Sequence, residues 1–194
     1  SKDLVSLKEK YPDRLNVISF NLQKVEGIRE EIFKAWIGFN VPIHGFVNNA
    51  ANAYDDIITN LSLSRLQVMF EINVFSPMNI VKYVIRNMLL HRVRGSIIHI
   101  SSISAHTGYK GLAMYASSKA ALEGFSKNTA REWGERGVRS NCLVAGFMET
   151  SMSSTLTIEQ KSRIFNRTSL KQPTSIRSVS EMVCFLLSDA AESV

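Results

Sequence analysis

Short apolar runs alternate along the chain with stretches in which apolar positions recur every three or four residues. That alternation predicts repeated βα units and a parallel sheet. Leu15 to Leu22 reads as a strand, and Val25 to Gly38 as a helix with Ile28, Ile32 and Trp36 on one stripe. Pro42 to Asn49 is the next short strand. Leu63 to Arg92 has a helical period, which Pro77 is expected to kink or divide because it removes a backbone donor. A strand over Ser96 to Ser101 follows, then a long helix from Ala113 to Arg136, with Gly137 where a residue beyond a helix C-terminus is expected. Val138 to Val144 reads as a strand. From Gly146 to Lys171 isolated apolar residues (Met148, Met152, Leu156, Ile164, Phe165) stand in a polar background, which suits a mobile flap. Ser178 to Leu187 closes the chain as a helix, with Ser178 capping and Glu181 completing a capping box.

Composition narrows the class. With 194 residues, 45% apolar and 21% charged, the chain can bury one sizeable core, so a single domain over residues 1–194 is expected. The formal charge of +6 is scattered and lacks interleaved aromatics, which disfavours nucleic acid as a partner. Cys142 and Cys184 lie inside apolar runs, and neither they nor His44, His91, His99 and His106 have metal-ligand or disulfide spacing. The polar N-terminus does not read as a secretory leader, and no apolar run approaches the ~18 residues of a membrane span. A cytoplasmic location is expected.

The candidate chemistry sits between Ser101 and Lys119. Tyr115 and Lys119 are four apart, so on a helix they share a face, and Ser102 follows an apolar strand whose end is where open α/β sheets bind ligands. A neighbouring ammonium favours a phenolate, so Lys119 is expected to lower the pKa of Tyr115 toward neutrality, where it could act as acid or base. Ser102 could donate to a substrate oxygen on which charge grows. Alone, a Tyr and a Lys at this spacing are commonplace.

Together with other landmarks they are not. Asn48-Asn49-Ala50-Ala51, Asn73, Ser102 and Tyr115 with Lys119 occur in the order found in the short-chain dehydrogenase/reductase family, and the chain most resembles its 3-oxoacyl-acyl-carrier-protein reductase-like members. The resemblance covers nearly the whole chain and implies an α/β fold with a doubly wound, mostly parallel, Rossmann-like sheet. It implies NAD or NADP as cofactor, NADP first, and Asn73, Ser102, Tyr115 and Lys119 as catalytic residues, with Asn73 holding a water that relays protons to Lys119. Cofactor contacts would come from Asn21, Asn48, Ala50, Tyr115, Lys119 and Gly146. The implied partner is a small carbonyl or alcohol substrate, in the first case a 3-oxoacyl thioester on an acyl carrier protein. A sugar, steroid-like or small-ketone dehydrogenase and a non-catalytic dinucleotide-binding scaffold are the alternatives. The family also implies a homodimer or homotetramer, and a lid over Thr150 to Gln172.

The departures are equally plain. The family's Gly-x-x-x-Gly-x-Gly loop and its last strand are absent from these residues, so the sheet is expected to be incomplete at both ends and the numbering to begin inside a longer chain. Asn21 stands where an aspartate is usual, Ala51 replaces a glycine, and Ala145 replaces the proline of a Pro-Gly pair. Arg92, Arg94, Arg131 and Arg136 resemble a surface for an acidic carrier, with an ordinary solvated helix face as the plainer reading.

Overall fold

The computed structural model describes residues 2–38, 40–150, 153 and 156–194; Met152 and the side chain of Trp36 lie outside the described residues. Three parallel strands, β1 (Gly45–Asn48), β2 (Gly95–Ser102) and β3 (Val138–Ala145), lie side by side in that order. Gly45 pairs with Ser96 through to Asn48 with His99, and Gly95 with Val138 through to Ser102 with Ala145, so β2 and β3 end level while β1 stops three residues short of them. Helices cover both faces: α3 (Ser76–His91) and α4 (Ala113–Trp133) on one, α6 (Ile176–Leu187) on the other.

The alternation along β2 dictates this layering. Ile97 packs toward α3 with Val81, Val84 and Met88, whereas Ile98 and Ile100 pack against Leu186 of α6 and Ala145. Ile97 and Ile98 are both fully buried. Each contributes about 1.5–3 kcal/mol relative to an exposed side chain, which is why a strand buried on both faces reads as a continuous apolar run. The result is an incomplete doubly wound α/β sheet.

The long helical stretch is divided, as Pro77 suggested, but by a change of pitch. α2 (Leu63–Phe70) runs into a π-helical turn over Glu71–Phe75 before α3, and Ser76 N donates to Glu71 O. Pro77 then sits in the first turn of α3, where its missing donor costs little. The whole stretch Leu63–His91 is long and apolar enough to cross a membrane by length and composition, which the shorter apolar runs of the sequence did not suggest. Half of its most apolar window is buried in the protein, and α3 serves as a core helix. Arg92 ends it in the left-handed conformation, at φ 54°.

Other elements depart from expectation for local reasons. Leu15 to Leu22 forms no strand: no described strand lies beside it, and Ser76 Oγ donates to the carbonyl of Leu22 at its end instead. The strand expected from Pro42 starts at Gly45, because Asn87 accepts from Ile43 N and donates to Val41 O. The Val25 to Gly38 helix is a 3-10 turn (Val25–Gly27) followed by π-helical turns over Ile28–Ile37, whose i→i+5 bonding puts Phe33 on the same core-facing side as Ile28. The expected flap contains a formed helix, α5 (Ile158–Arg167), capped by Thr157 and Gln160. α6 begins at Ile176, and Ser175 rather than Ser178 caps it by accepting from Ser178 N. Gly137 does end the α4 region, at φ 78° after the 3-10 turn Gly134–Arg136. The remaining helix, α1 (Lys2–Lys10), is amphipathic and exposed from Leu4 onward.

Candidate active site

The ends of β2 and β3 bring Ser102 and Ala145 level at the carboxyl end of the sheet, Asn48 closes β1 beside His99, three residues before Ser102, and Tyr115 and Lys119 stand in the first turns of α4, with Lys119 bonded to β2. In an open parallel sheet that end is the ligand-binding one.

Lys119 is 3% exposed, and its Nζ donates to the carbonyl of Ile100 at 2.8 Å, a residue on β2 just before the two serines. Among the described residues this ammonium has no carboxylate partner. Burial therefore lowers its pKa to about 8, with the Cys142 thiol acting the other way. Its Nζ lies 5.7 Å from the centre of the Tyr115 ring.

Tyr115 is held by an apolar cluster of Tyr54, Met69 and Met114, joined by Leu61, Leu66 and Phe70. Its pKa is raised, first by burial and then by the Asp55 carboxylate. The spacing of Tyr115 and Lys119 predicts the reverse. Lys119 is engaged with the Ile100 carbonyl, and the loop after β1 supplies an acidic neighbour that no spacing rule revealed. The phenol is thus kept protonated, as a proton donor must be.

Ser102 is half-buried at the end of β2 and accepts from Ser104 N at 3.2 Å and from Ser104 Oγ at 2.9 Å. With its lone pairs so engaged, its own O–H remains to donate.

Asn73, in the π turn, is fully buried. Its Oδ1 accepts from Asn52 N at 2.7 Å, and its Nδ2 donates to Asn52 O at 2.8 Å and to Ser118 Oγ at 3.0 Å. Ser118 in turn donates to Tyr115 O at 2.7 Å. Both amide donors are therefore committed to clamping the post-β1 loop to the first turns of α4.

Asn48 is buried, and its Nδ2 donates to His99 Nδ1 at 3.2 Å. Nδ1 of His99 is consequently the acceptor, the proton sits on Nε2, and that atom is buried without a hydrogen-bond partner among the described residues. Burial, reinforced by the Lys119 charge, lowers the His99 pKa to about 4. The imidazole is neutral and packs edge-on to Phe125.

The remaining expected contacts differ in position. Gly146 follows β3, and a methyl group there would collide with Thr174 Oγ1, so the loop needs glycine for close approach. Ala50 is exposed just beyond β1. Asn21 is exposed, its Oδ1 accepts from Gln23 N at 3.0 Å, and no described contact joins it to Tyr115 or Lys119. The four arginines are exposed at the far ends of α3 and α4. At 1.5 Å per residue, Arg131 lies about 24 Å along the helix from Tyr115. That separation favours the plain reading of a solvated face.

Sequence reasoning missed Glu123, although it continues the four-residue spacing of Tyr115 and Lys119. It is buried, and Ser101 Oγ donates to its Oε1 at 2.5 Å. It also missed Asp55 and Ser118, whose importance comes from distant partners.

A family model described as Enoyl-(Acyl carrier protein) reductase matches residues 2–194. The 3-oxoacyl-[acyl-carrier-protein] reductase FabG of Aquifex aeolicus (strain VF5) is 30% identical over 191 residues, covering 97% of this chain and 75% of that protein. The enzyme of the same name from Escherichia coli (strain K12) is 34% identical over 145 residues, 75% of this chain and 59% of its own. The chain thus spans between 59% and 75% of the length of these relatives. In fold it matches a gluconate 5-dehydrogenase from Burkholderia cenocepacia J2315 in complex with NADP and tartrate, with a TM-score of 0.88 at 22% identity over 97% of this chain and 75% of that one. A match along almost every residue, with the motif residues gathered at one sheet edge, makes this chain a member of the short-chain dehydrogenase/reductase family.

Proposed function

We propose that the protein is an NAD- or NADP-dependent oxidoreductase that reduces a ketone to a secondary alcohol, or runs the reverse, with Tyr115 as the acid and base. The observation that carries this reading is the buried Lys119 ammonium beside a phenol held protonated, at the edge where Ser102 has a hydroxyl proton to give. When bound, the dinucleotide supplies or accepts the hydride.

The residues here suit its nicotinamide half. An ammonium with three donors and one acceptor, Ile100 O, has two N–H directions left for ribose hydroxyls. Tyr115, Asn48, Ala50 and Gly146 would complete that wall, whereas exposed Asn21 would serve only a remote part of the cofactor.

In reduction, Ser102 donates to the carbonyl oxygen and stabilises the charge that grows there. Tyr115 then gives its proton to that oxygen. Lys119 supplies positive potential that steadies the phenolate left behind, and at a pKa of about 8 it is mostly charged at neutral pH. Asn73 holds the post-β1 loop against the helix carrying both.

The names of the relatives support a 3-oxoacyl thioester as first substrate, presented by an acyl carrier protein; the distant arginines do not add to that. We place the protein in the cytoplasm, as a single domain in a homodimer or homotetramer. Oxidation of NADH and NADPH should be followed with the full-length polypeptide and acetoacetyl thioesters, against a panel of simple ketones and sugars. Thioester-dependent oxidation is the expected result; oxidation with none of them contradicts the proposal.

A further inference from the structure

Glu123 lies four residues beyond Lys119 on α4, so Tyr115, Lys119 and Glu123 share one helix face. Its side chain is turned into the space between α4 and β2, at 9% exposure. A carboxylate there is costly unless hydrogen-bonded, and an apolar residue of similar size would serve packing more cheaply.

Its two hydrogen-bond partners among the described residues flank the same short segment. Ser101 Oγ donates to Oε1 at 2.5 Å, and His106 Nε2 lies 3.0 Å from the same carboxylate. Ser101 immediately precedes Ser102 on β2. His106 follows the 3-10 turn Ile103–Ala105, which Ser102 opens by accepting from Ser104 N. One carboxylate therefore grips the serine-bearing segment one residue before Ser102 and four residues after it.

We infer that Glu123 is a positioning residue, which sets Ser102 against Tyr115 and Lys119 by tying the segment that carries the serine to the helix that carries the other two. The inference rests on the reading of Ser102, Tyr115 and Lys119 as the reacting group. The two ties have different strengths. Ser101 is buried, so its bond is protected from water, while the His106 side chain is half exposed and its bond is weaker. Ser101 is thus the more important anchor, and Glu123→Gln should keep it, because the amide oxygen still accepts from a hydroxyl.

The test compares wild type, Glu123→Gln, Glu123→Ala, Ser101→Ala, the Ser101→Ala/Glu123→Ala double variant and Tyr115→Phe. The full-length protein is assayed for NADPH and NADH oxidation with an acetoacetyl thioester. Since a misplacement of about 1 Å costs up to a hundredfold in rate, Glu123→Ala should lower kcat by about ten- to a hundredfold with KM and cofactor affinity little changed. Glu123→Gln should restore most of the rate, and the double variant should be no slower than Glu123→Ala alone. If Glu123→Ala does not fold, Ser101→Ala and Glu123→Gln decide: the first must lower kcat and the second must not. Tyr115-dependent turnover with kcat unchanged in Glu123→Ala, or in Ser101→Ala where Glu123→Ala fails to fold, overturns the inference alone. Turnover retained in Tyr115→Phe, or absent from wild type, overturns the reading of the site and this inference with it.

Discussion

Lys119 Nζ donates to the Ile100 carbonyl at 2.8 Å, so the cation of the tyrosine-bearing helix is pinned to the strand that ends in Ser102. The bond orders the site, and it also buries a charge. Lys119 titrates at about 8 in the folded protein against an ordinary 10.5. Between those values the unfolded chain binds more protons than the native one, so stability rises with pH. Below 8 the penalty is complete. Lys119→Met should therefore be at least as stable as wild type at pH 7, and wild type should gain roughly 3 kcal/mol on it between pH 8 and 10.5. Urea unfolding of both proteins across that range measures the difference; parallel curves would remove the buried charge from the account.

His99 gives the acid counterpart. It is fully buried, neutral, and titrates at about 4 rather than 6.5. Its contribution is present above pH 6.5 and is lost as the pH falls toward 4, where folding must charge a buried imidazole. The loss should approach roughly 3 kcal/mol. In His99→Asn the acid limb of stability should flatten over that interval, as read by denaturant midpoints. An unaltered limb would mean that His99 opens to water before it titrates.

Asn73→Ala should destabilise the protein by about 2–4 kcal/mol, because it removes three hydrogen bonds and strands the N–H and C=O of Asn52. The damage should be felt in α4 as well, through Ser118. Hydrogen exchange would show it as faster exchange in the first turns of α4 and in the loop after β1. Loss confined to the π turn would disprove the clamp.

How much of this was legible in the chain depended on the range of the forces involved. The strands β2 and β3, the long helices and the positive φ of Gly137 follow from local pattern, and they fall where the periodicity puts them. Leu15 to Leu22 carries the same apolar signal as a strand yet forms none, because a strand is made by its neighbour and no described strand lies beside it, Ser76 Oγ meeting the Leu22 carbonyl at its end. The site shows the same division. Tyr115, Lys119 and Ser102 were readable from spacing and motif. The raised pKa of Tyr115 was not, since it comes first from burial in an apolar cluster assembled from three elements and then from Asp55, sixty residues earlier in the chain.

Gly146 offers a test of the loop after β3. Adding a methyl group there collides with Thr174 Oγ1, so Gly146→Ala should cost about 1–3 kcal/mol. Thr174→Ala removes the colliding oxygen and keeps a carbon that is 3.6 Å away. The double variant should recover most of the loss, measured by thermal or urea unfolding. Strict additivity of the two substitutions would show that the two side chains do not meet.

The central claim is that one phenol moves the proton, and Tyr115→Phe removes that hydroxyl while leaving the ring in its cluster with Met69 and Met114. The most direct measurement is kcat for NAD(P)H oxidation by Tyr115→Phe beside wild type, with cofactor affinity followed by fluorescence. The account predicts a fall in kcat of about 10²- to 10⁴-fold with cofactor binding retained. A variant that turns over at the wild-type rate would contradict it.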